Sequence, residues 1–362
     1  MKKQLEYLHL HKRLNKYSNI LMMQKKTTIK DIANVLKITP SAVSRALHNH
    51  PRISDKTKKA VKKVALELNY QPNQLASALR SGRSNLVGIV VPRTNSYFFS
   101  SVVESIEEEL NKEGYNVIIT QSNESYDKEC RNIEALLQTQ VDGIIASLAN
   151  ETIIFDHYER IKEKGIPLIL YDRGENDIGV DYIGIDDYQS SHIVVDHLVA
   201  QGCKRIAHIA GYSHTRIYKN RIRGYIDALL KHNIPIVDSL LLESNLTLKD
   251  GRAKTKQLLE LPKLPDAIYA SGDYAALGAL QVLQENGIRV PQDVALVGFS
   301  DEPFTSLISP AISTVYQHNN KIGKLVAQQF LLRIKDKNWK PKLNKIILDA
   351  ELIVRESSKK KK

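Results

Sequence analysis

Two groups of residues in this chain carry side chains suited to recognition chemistry. The first is the run Thr-Pro-Ser-Ala-Val-Ser-Arg at 39–45. The small and hydroxylated residues Thr39, Ser41, Ala42 and Ser44 fit close approach to a polar surface. Arg45 either donates a bidentate pair to guanine, binds a phosphate, or forms a surface salt bridge. The second group is scattered along the chain but recurs after short apolar runs: Tyr97, Phe98 and Phe99; Asp172 and Arg173; Arg221 in Lys-Asn-Arg-Ile-Arg-Gly-Tyr; Asp273 in Ser-Gly-Asp-Tyr; Ser300 and Asp301 in Val-Gly-Phe-Ser-Asp-Glu. Aromatic faces with a few directed polar groups are what a small polar ring such as a sugar requires. Each has a plainer alternative. Phe99 is also a core residue by type, Asp273 is placed to cap a helix, and Arg173 to pair with a nearby carboxylate.

Catalytic chemistry has little to stand on. There is no phosphate-binding G-x-x-x-x-G-K-[ST] loop, no G-x-S-x-G elbow, no H-E-x-x-H, and no G-x-G-x-x-G after a strand. His197, His208 and His214 have no partner logic. Cys130 and Cys203 are far apart and lack metal-ligand spacing, so neither a disulfide framework nor a zinc site is indicated. No catalytic residue, metal or cofactor is expected.

The elements that must position the first group are local. Ile29, Ile32, Ala33 and Leu36 recur at helical spacing behind Thr28, a capping residue. After a turn at Lys37 and Ile38, Thr39 stands before Pro40, an N-cap followed by a first helical position where proline's missing N–H costs nothing. Ala42, Val43, Ala46 and Leu47 face inward from this second helix. A third helix, about Asp55 to Asn69 with Ser54 as cap, closes a small core through Ala60, Val61, Val64, Ala65 and Leu68. Two short helices joined by a tight turn make a helix-turn-helix, whose second helix enters the DNA major groove. Charge agrees. Residues 1–84 carry 18 Lys+Arg against 4 Asp+Glu, whereas the other 278 residues carry 34 against 36. A basic head on a nearly neutral body is the electrostatic footprint of polyanion binding. Pro72, Asn73 and Gly82 bracket a further segment, Gln74 to Ser81, that makes two helical turns and is marginal alone.

The order T-I-K-D-I-A, S-A-V-S-R-A-L, L-N-Y-Q-P-N-Q-L-A-S-A-L-R-S-G resembles the head and hinge of the lactose-repressor (LacI/GalR) family, and the likeness continues through nearly the whole chain beyond residue 26. The resemblance implies a homodimer on a roughly palindromic double-stranded DNA operator. It implies that paired hinge helices fold on the minor groove and that Leu79 wedges into the central base step, or packs between the paired hinges, or does both. The contact set it implies is Thr28, Thr39, Pro40, Ser41, Ala42, Ser44 and Arg45, with Asn73, Ala76 and Leu79 in the hinge. Pro40 and Ser41 occupy the base-choosing positions. Residues 1–24 have no counterpart; they are either a basic arm or the product of an upstream start before Met22 and Met23.

The second group is positioned by apolar runs that alternate with amphipathic stretches. Strands are expected at Leu86–Val91, Tyr115–Thr120, Gly143–Ser147, Pro167–Tyr171, Arg205–Ala210, Asp266–Ala270 and Val294–Phe299, with helices near 98–113, 127–139, 220–232 and 274–286. The alternation predicts parallel sheets covered on both faces, with ligands outside the carboxyl ends of the strands. The fold class is α/β: a small all-α helix-turn-helix head plus a two-subdomain, periplasmic-binding-protein-like body with parallel sheets. The expected division is 1–25 extension, 26–72 head, 73–84 hinge and 85–362 body. Within the body, subdomain 1 takes about 85–172 plus 315–342, and subdomain 2 takes about 173–314 plus 343–358.

The family uses the arginine matching Arg221 on effectors. Tyr97, Phe98, Phe99, Asp172, Arg173, Asp273 and Ser300 complete the effector set, for a small molecule of carbohydrate type. Many relatives carry an acid where this chain has Ser300, so no particular effector transfers. No apolar run of about 18 residues and no signal peptide is present, so no membrane partner is expected and the cytoplasm is the expected compartment. The absence of leucine heptads after E-L-I-V-R-E-S-S favours a dimer over a tetramer. The expected function is a regulator, a repressor first, whose operator affinity a cleft ligand modulates. The alternatives are an activator of the same architecture and, more remotely, a periplasmic-type binding protein.

Overall fold

In the computed structural model, residues 27–70, 83–336, 340 and 342–360 are described, and the chain divides after Gly82 into two units. The hinge candidates Asn73, Ala76 and Leu79 lie outside the described residues.

The first unit contains helices α1 (Ile29–Leu36), α2 (Pro40–Leu47) and α3 (Asp55–Glu67). Their starts follow capping chemistry. Thr28 donates its backbone N–H and its hydroxyl to Asp31 Oδ2, both at 2.7 Å. Thr39 Oγ1 accepts the Ala42 N–H at 3.2 Å, and Ser54 Oγ that of Thr57 at 3.3 Å. Thr39 and Ser54 thereby each satisfy an N–H that the helix itself leaves unpaired, while at α1 the first-turn acid Asp31 holds the capping residue. The turn between α1 and α2 reverses through Lys37 at φ 51°, a left-handed position taken here by a residue with a Cβ. Ile32, Ala33, Val43, Ala46, Val61, Val64 and Ala65 form the buried core.

The second unit contains two parallel sheets. Strands β1 (Leu86–Val91), β2 (Asn116–Gln121), β3 (Gly143–Ala146), β4 (Leu168–Tyr171), β5 (Asp181–Ile185) and β11 (Lys345–Leu348) form the first, in the order β11-β5-β4-β3-β1-β2. Helix α4 (Tyr97–Lys112) packs with α11 (Asn319–Lys335), and α5 (Tyr126–Gln138) with α6 (Asp156–Glu163). Central strand β1 reads Leu-Val-Gly-Ile-Val-Val, a continuous apolar run as expected of a strand buried on both faces; Ile89 stands opposite Ile119 and Ile145.

The second sheet has the order β7-β6-β8-β9, from β6 (Ile206–Ala210), β7 (Leu241–Glu243), β8 (Ala267–Ala270) and β9 (Ala295–Val297). Helix α7 (Asp187–Ala200) packs on α8 (Arg216–Lys231), and α9 (Leu248–Leu259) on α10 (Asp273–Glu285). Strands β10 (Thr314–Tyr316) and β12 (Glu351–Ile353) form an antiparallel ribbon, and Ser313 bridges it to Val297 in the second sheet.

Two expectations about the body need correction. The first subdomain does not end near 172: β5 lies in the stretch expected of the second subdomain and pairs with β4 in the first sheet. Nor does the segment from 343 pass whole to the second subdomain. Lys345–Leu348 pairs with β5 in the first sheet, and only from Glu351 does the chain join the β10 ribbon. For β5 the reason is one buried acid. Asp181 opens β5 and receives Arg333 Nε and Nη2, at 2.6 and 2.8 Å, and Gln329 Nε2 at 3.0 Å from α11. An aspartate at a strand start reads as a loop residue until a distant helix supplies its partners.

Candidate ligand cleft and nucleic-acid face

On α2 the second helical residue is Ser41, and the exposed face comprises Thr39, Pro40, Ser41 and Arg45; Ala42 and Ser44 are half-buried. Arg45 makes no ion pair: among the described head residues the pairs are Lys58–Asp55 and Lys63–Glu67. Thr28 is exposed at the start of α1. The two hydroxyls at the start of α2 are 2.9 Å apart, Thr39 Oγ1 to Ser41 Oγ, on exposed residues near the positive end of the helix dipole.

In the body, strand ends from both sheets meet at a cavity of about 300 Å³. Phe98, Phe99, Asp172, Arg173, Arg221, Asp273 and Ser300 line it. Tyr97 does not, and its side chain is 46 % exposed. It begins α4 right after Ser96, and successive helical residues point about 100° apart, so turning Phe98 and Phe99 inward turns Tyr97 out. The two phenylalanines meet edge to face at 5.2 Å.

The polar groups have distinct duties. Arg221 gives Nε and Nη2 to Asp187 Oδ1, at 2.8 and 2.7 Å, and Nη1 to the Ser271 carbonyl; its guanidinium lies 3.6 Å from the Phe299 ring centre. Burial raises the Asp187 carboxyl above its usual range, with Arg221 pulling it back. Arg173 gives Nη1 to Glu124 at 2.5 Å and Nη2 to the Tyr218 hydroxyl at 3.2 Å, while its buried Nε has no partner. Its nearby carboxylate is thus Glu124, which also takes Arg93 Nε at 2.9 Å. Asp172 sits at φ 55° and its carboxyl accepts no hydrogen bond from a described residue. Burial pushes that carboxyl up to about 6, against the pull of Arg173 and then Arg221.

Asp273 behaves otherwise. Its Oδ2 accepts the Glu302 N–H at 2.8 Å and Oδ1 the Thr314 hydroxyl at 2.7 Å; burial raises it to about 7. Both oxygens are engaged, so it ties the loop after β9 to the ribbon, and it caps no helix with its side chain. A Cβ on Gly298 would collide with Asp273 Oδ1, so this tie requires glycine there. Ser300, at φ 115°, accepts Gln317 Nε2 at 3.2 Å.

Sequence reasoning missed Glu302, Tyr218 and Arg93, all of which line the cavity. Glu302 accepts the Ser96 hydroxyl at 3.1 Å and the Tyr97 N–H at 3.1 and 3.3 Å, so a residue of the loop after β9 caps α4 of the first subdomain. No local pattern marks that. Tyr218 had a signal, lying three residues before Arg221 on one helix face. At the cleft rim, His214 Nε2 meets the Asn150 carbonyl at 2.6 Å, the Thr215 hydroxyl donates to Asn150 Oδ1 at 3.2 Å, and Arg216 Nε to the Gly174 carbonyl at 2.7 Å. His197, half-buried, contacts the Ser358 hydroxyl, and the fully buried His208, lowered by burial to about 3, contacts Ser271.

Comparison with known proteins agrees with both parts. Residues 28–73 match the family described as bacterial regulatory proteins, lacI family, and residues 195–358 match a periplasmic binding protein-like domain. The chain is 32% identical over 335 residues to the HTH-type transcriptional regulator DegA of Bacillus subtilis, covering 92% of this chain and 98% of that protein. It is 31% identical over 334 residues to the probable HTH-type transcriptional repressor ExuR of the same organism, covering 91% and 98%. Among solved structures, a complex of the transcriptional regulator CelR with cellobiose superposes with a TM-score of 0.69 at 28% identity over 92% of this chain and 100% of that one. The Lac repressor dimer bound to operator and the anti-inducer ONPF shares the fold, with a TM-score of 0.82 at 23% identity over 92% and 99%.

Proposed function

The chain belongs to the lacI family of bacterial regulatory proteins, and from that premise we propose that it is a homodimeric repressor whose hold on a palindromic operator is set by a small carbohydrate-type ligand in the cleft. The observation that carries this reading is the outward face of α2, where Thr39, Pro40, Ser41 and Arg45 are exposed and Arg45 makes no ion pair with a described residue. A cation left unpaired beside two hydroxyls at a helix start has a phosphate or a guanine edge as its natural partner. Pro40 and Ser41 choose bases, Arg45 adds a direct or phosphate contact, and Thr28, Ala42 and Ser44 complete the surface. Asn73, Ala76 and Leu79 form the hinge on the minor groove, Leu79 as wedge.

In the cleft, Phe98 and Phe99 offer the apolar face, while Asp172, Arg173, Arg221 and Ser300 offer polar contacts. Asp273 also lines the cavity while tying the loop after β9 in place, and Tyr97 is withdrawn from that set. A ligand touching Asp172 and Arg221 contacts both subdomains at once, so its binding energy acts on their relation, and operator affinity follows by linkage. Its relatives are regulators, and the proposed role here is binding without turnover, in the cytoplasm.

The test is fluorescence anisotropy of the purified protein on DNA from around its own gene at fixed salt, with and without neutral sugars, uronates and sugar phosphates. Selective binding that one compound shifts several-fold is the expected result. Binding no tighter than to scrambled DNA would defeat the proposal.

A further inference from the structure

We infer that the cleft selects a polyhydroxylated ligand that is uncharged or carries an amine, and rejects one bearing a carboxylate or phosphate. This rests on the carbohydrate reading above and adds its charge class. Three guanidiniums border the cavity, and each already faces a carboxylate. Arg93 and Arg173 share Glu124, at 2.9 and 2.5 Å. Arg221 spends its Nε and Nη2 on Asp187. Three cations against two carboxylates leave one positive charge. Facing it are the Asp172 carboxyl, with no donor from a described residue, and the Glu302 carboxyl, whose donors are the Ser96 hydroxyl and the Tyr97 N–H. The balance at the cavity is therefore negative even with Asp273 set aside.

An incoming anion that forked onto Arg173 or Arg221 would have to take that guanidinium from Glu124 or Asp187. Glu124 is largely buried and Asp187 fully so, and a buried carboxylate stripped of its partner is costly. Hydroxyls meet no such obstacle. An ionised aspartate accepts only, so Asp172 calls for a ligand donor such as a hydroxyl or an amine.

The experiment is isothermal titration of the full-length protein with glucose, galactose and mannose, each beside its own uronate and 6-phosphate. The uncharged member of the set that binds is expected to bind about tenfold or more tighter than its acidic partners, an electrostatic difference of ordinary size for unit charges a few ångströms apart. In Asp172→Asn that gap narrows, and Glu302→Gln, which keeps an acceptor for the α4 N-terminus, narrows it less. An acidic member binding as tightly as its parent sugar, or a gap unchanged in a folded Asp172→Asn protein, overturns the inference while leaving the carbohydrate reading in place. Heat from no member defeats the carbohydrate reading, and the inference falls with it.

Discussion

The head and the body put recognition groups in opposite environments. On α2, Arg45, Ser41 and Pro40 stand exposed over a core made of other residues. In the cleft, Arg173, Arg221 and Asp172 are themselves buried, and each is held by, or aimed past, another charge. A surface reader of a polyanion gains from accessible, unpaired cations and loses little stability when one is removed. A cleft that must discriminate among small ligands gains from desolvated groups in fixed positions, and those groups then belong to the fold as much as to the site. The comparison teaches that recognition and stability should separate in the head and remain tied in the body.

The strongest way to break that contrast is Arg221→Ala. It strands Asp187, which is 4% exposed, and should cost on the order of 3–5 kcal/mol in urea unfolding together with loss of ligand binding. A stable protein deficient only in binding would show that the buried pair is not structural.

Asp172→Asn should act in the other direction on stability. The folded carboxyl, raised to about 6, keeps its proton where the unfolded chain loses it near 4, so wild-type stability falls as pH climbs between those values and is level above. The variant lacks that loss and should be more stable than wild type at neutral pH by about 2–3 kcal/mol, while binding ligand less well. The difference in Tm between the two proteins, followed from pH 4 to 7.5, isolates this carboxyl from His208, which titrates with the opposite sign. A difference that does not change with pH would contradict the assignment.

Arg45→Ala should weaken operator binding by about 1–3 kcal/mol with thermal stability unchanged; a drop in stability would place Arg45 in the fold and weaken the contrast. The smallest effect is expected of Lys37→Gly, which relieves a left-handed backbone position and should stabilise the head by about 0.5–1 kcal/mol, measured by thermal unfolding without DNA.

How legible each region was follows the same division. The head's helices start where Thr28, Thr39 and Ser54 say they should, because a cap acts on N–H groups within three residues. In the body, β1, β3 and β8 announce themselves as apolar runs, whereas β5 hides behind Asp181 and Gly184 and is completed by Arg333 from a helix about 150 residues away. The correction to Lys345–Leu348 is of another kind, since a short strand carries no label for its partner. Within the cleft, the types of Phe98, Phe99, Asp172, Arg173 and Arg221 were readable, but not which carboxylate each arginine takes. Nor was it readable that Asp273 spends both oxygens on Glu302 and Thr314, or that Glu302 reaches across to α4.

What the sequence determined by itself, then, was the basic helix-turn-helix head, the alternation that makes parallel sheets, and the kinds of side chain at the strand ends. All of these arise from charge, capping and periodicity over a few residues. What only the tertiary structure decided was the strand order, the separation of Tyr97 from its two aromatic neighbours, and the charge balance of the cleft. Those depend on pairings between residues distant in the chain, and a buried charge has no fixed character until the fold supplies or withholds its partner.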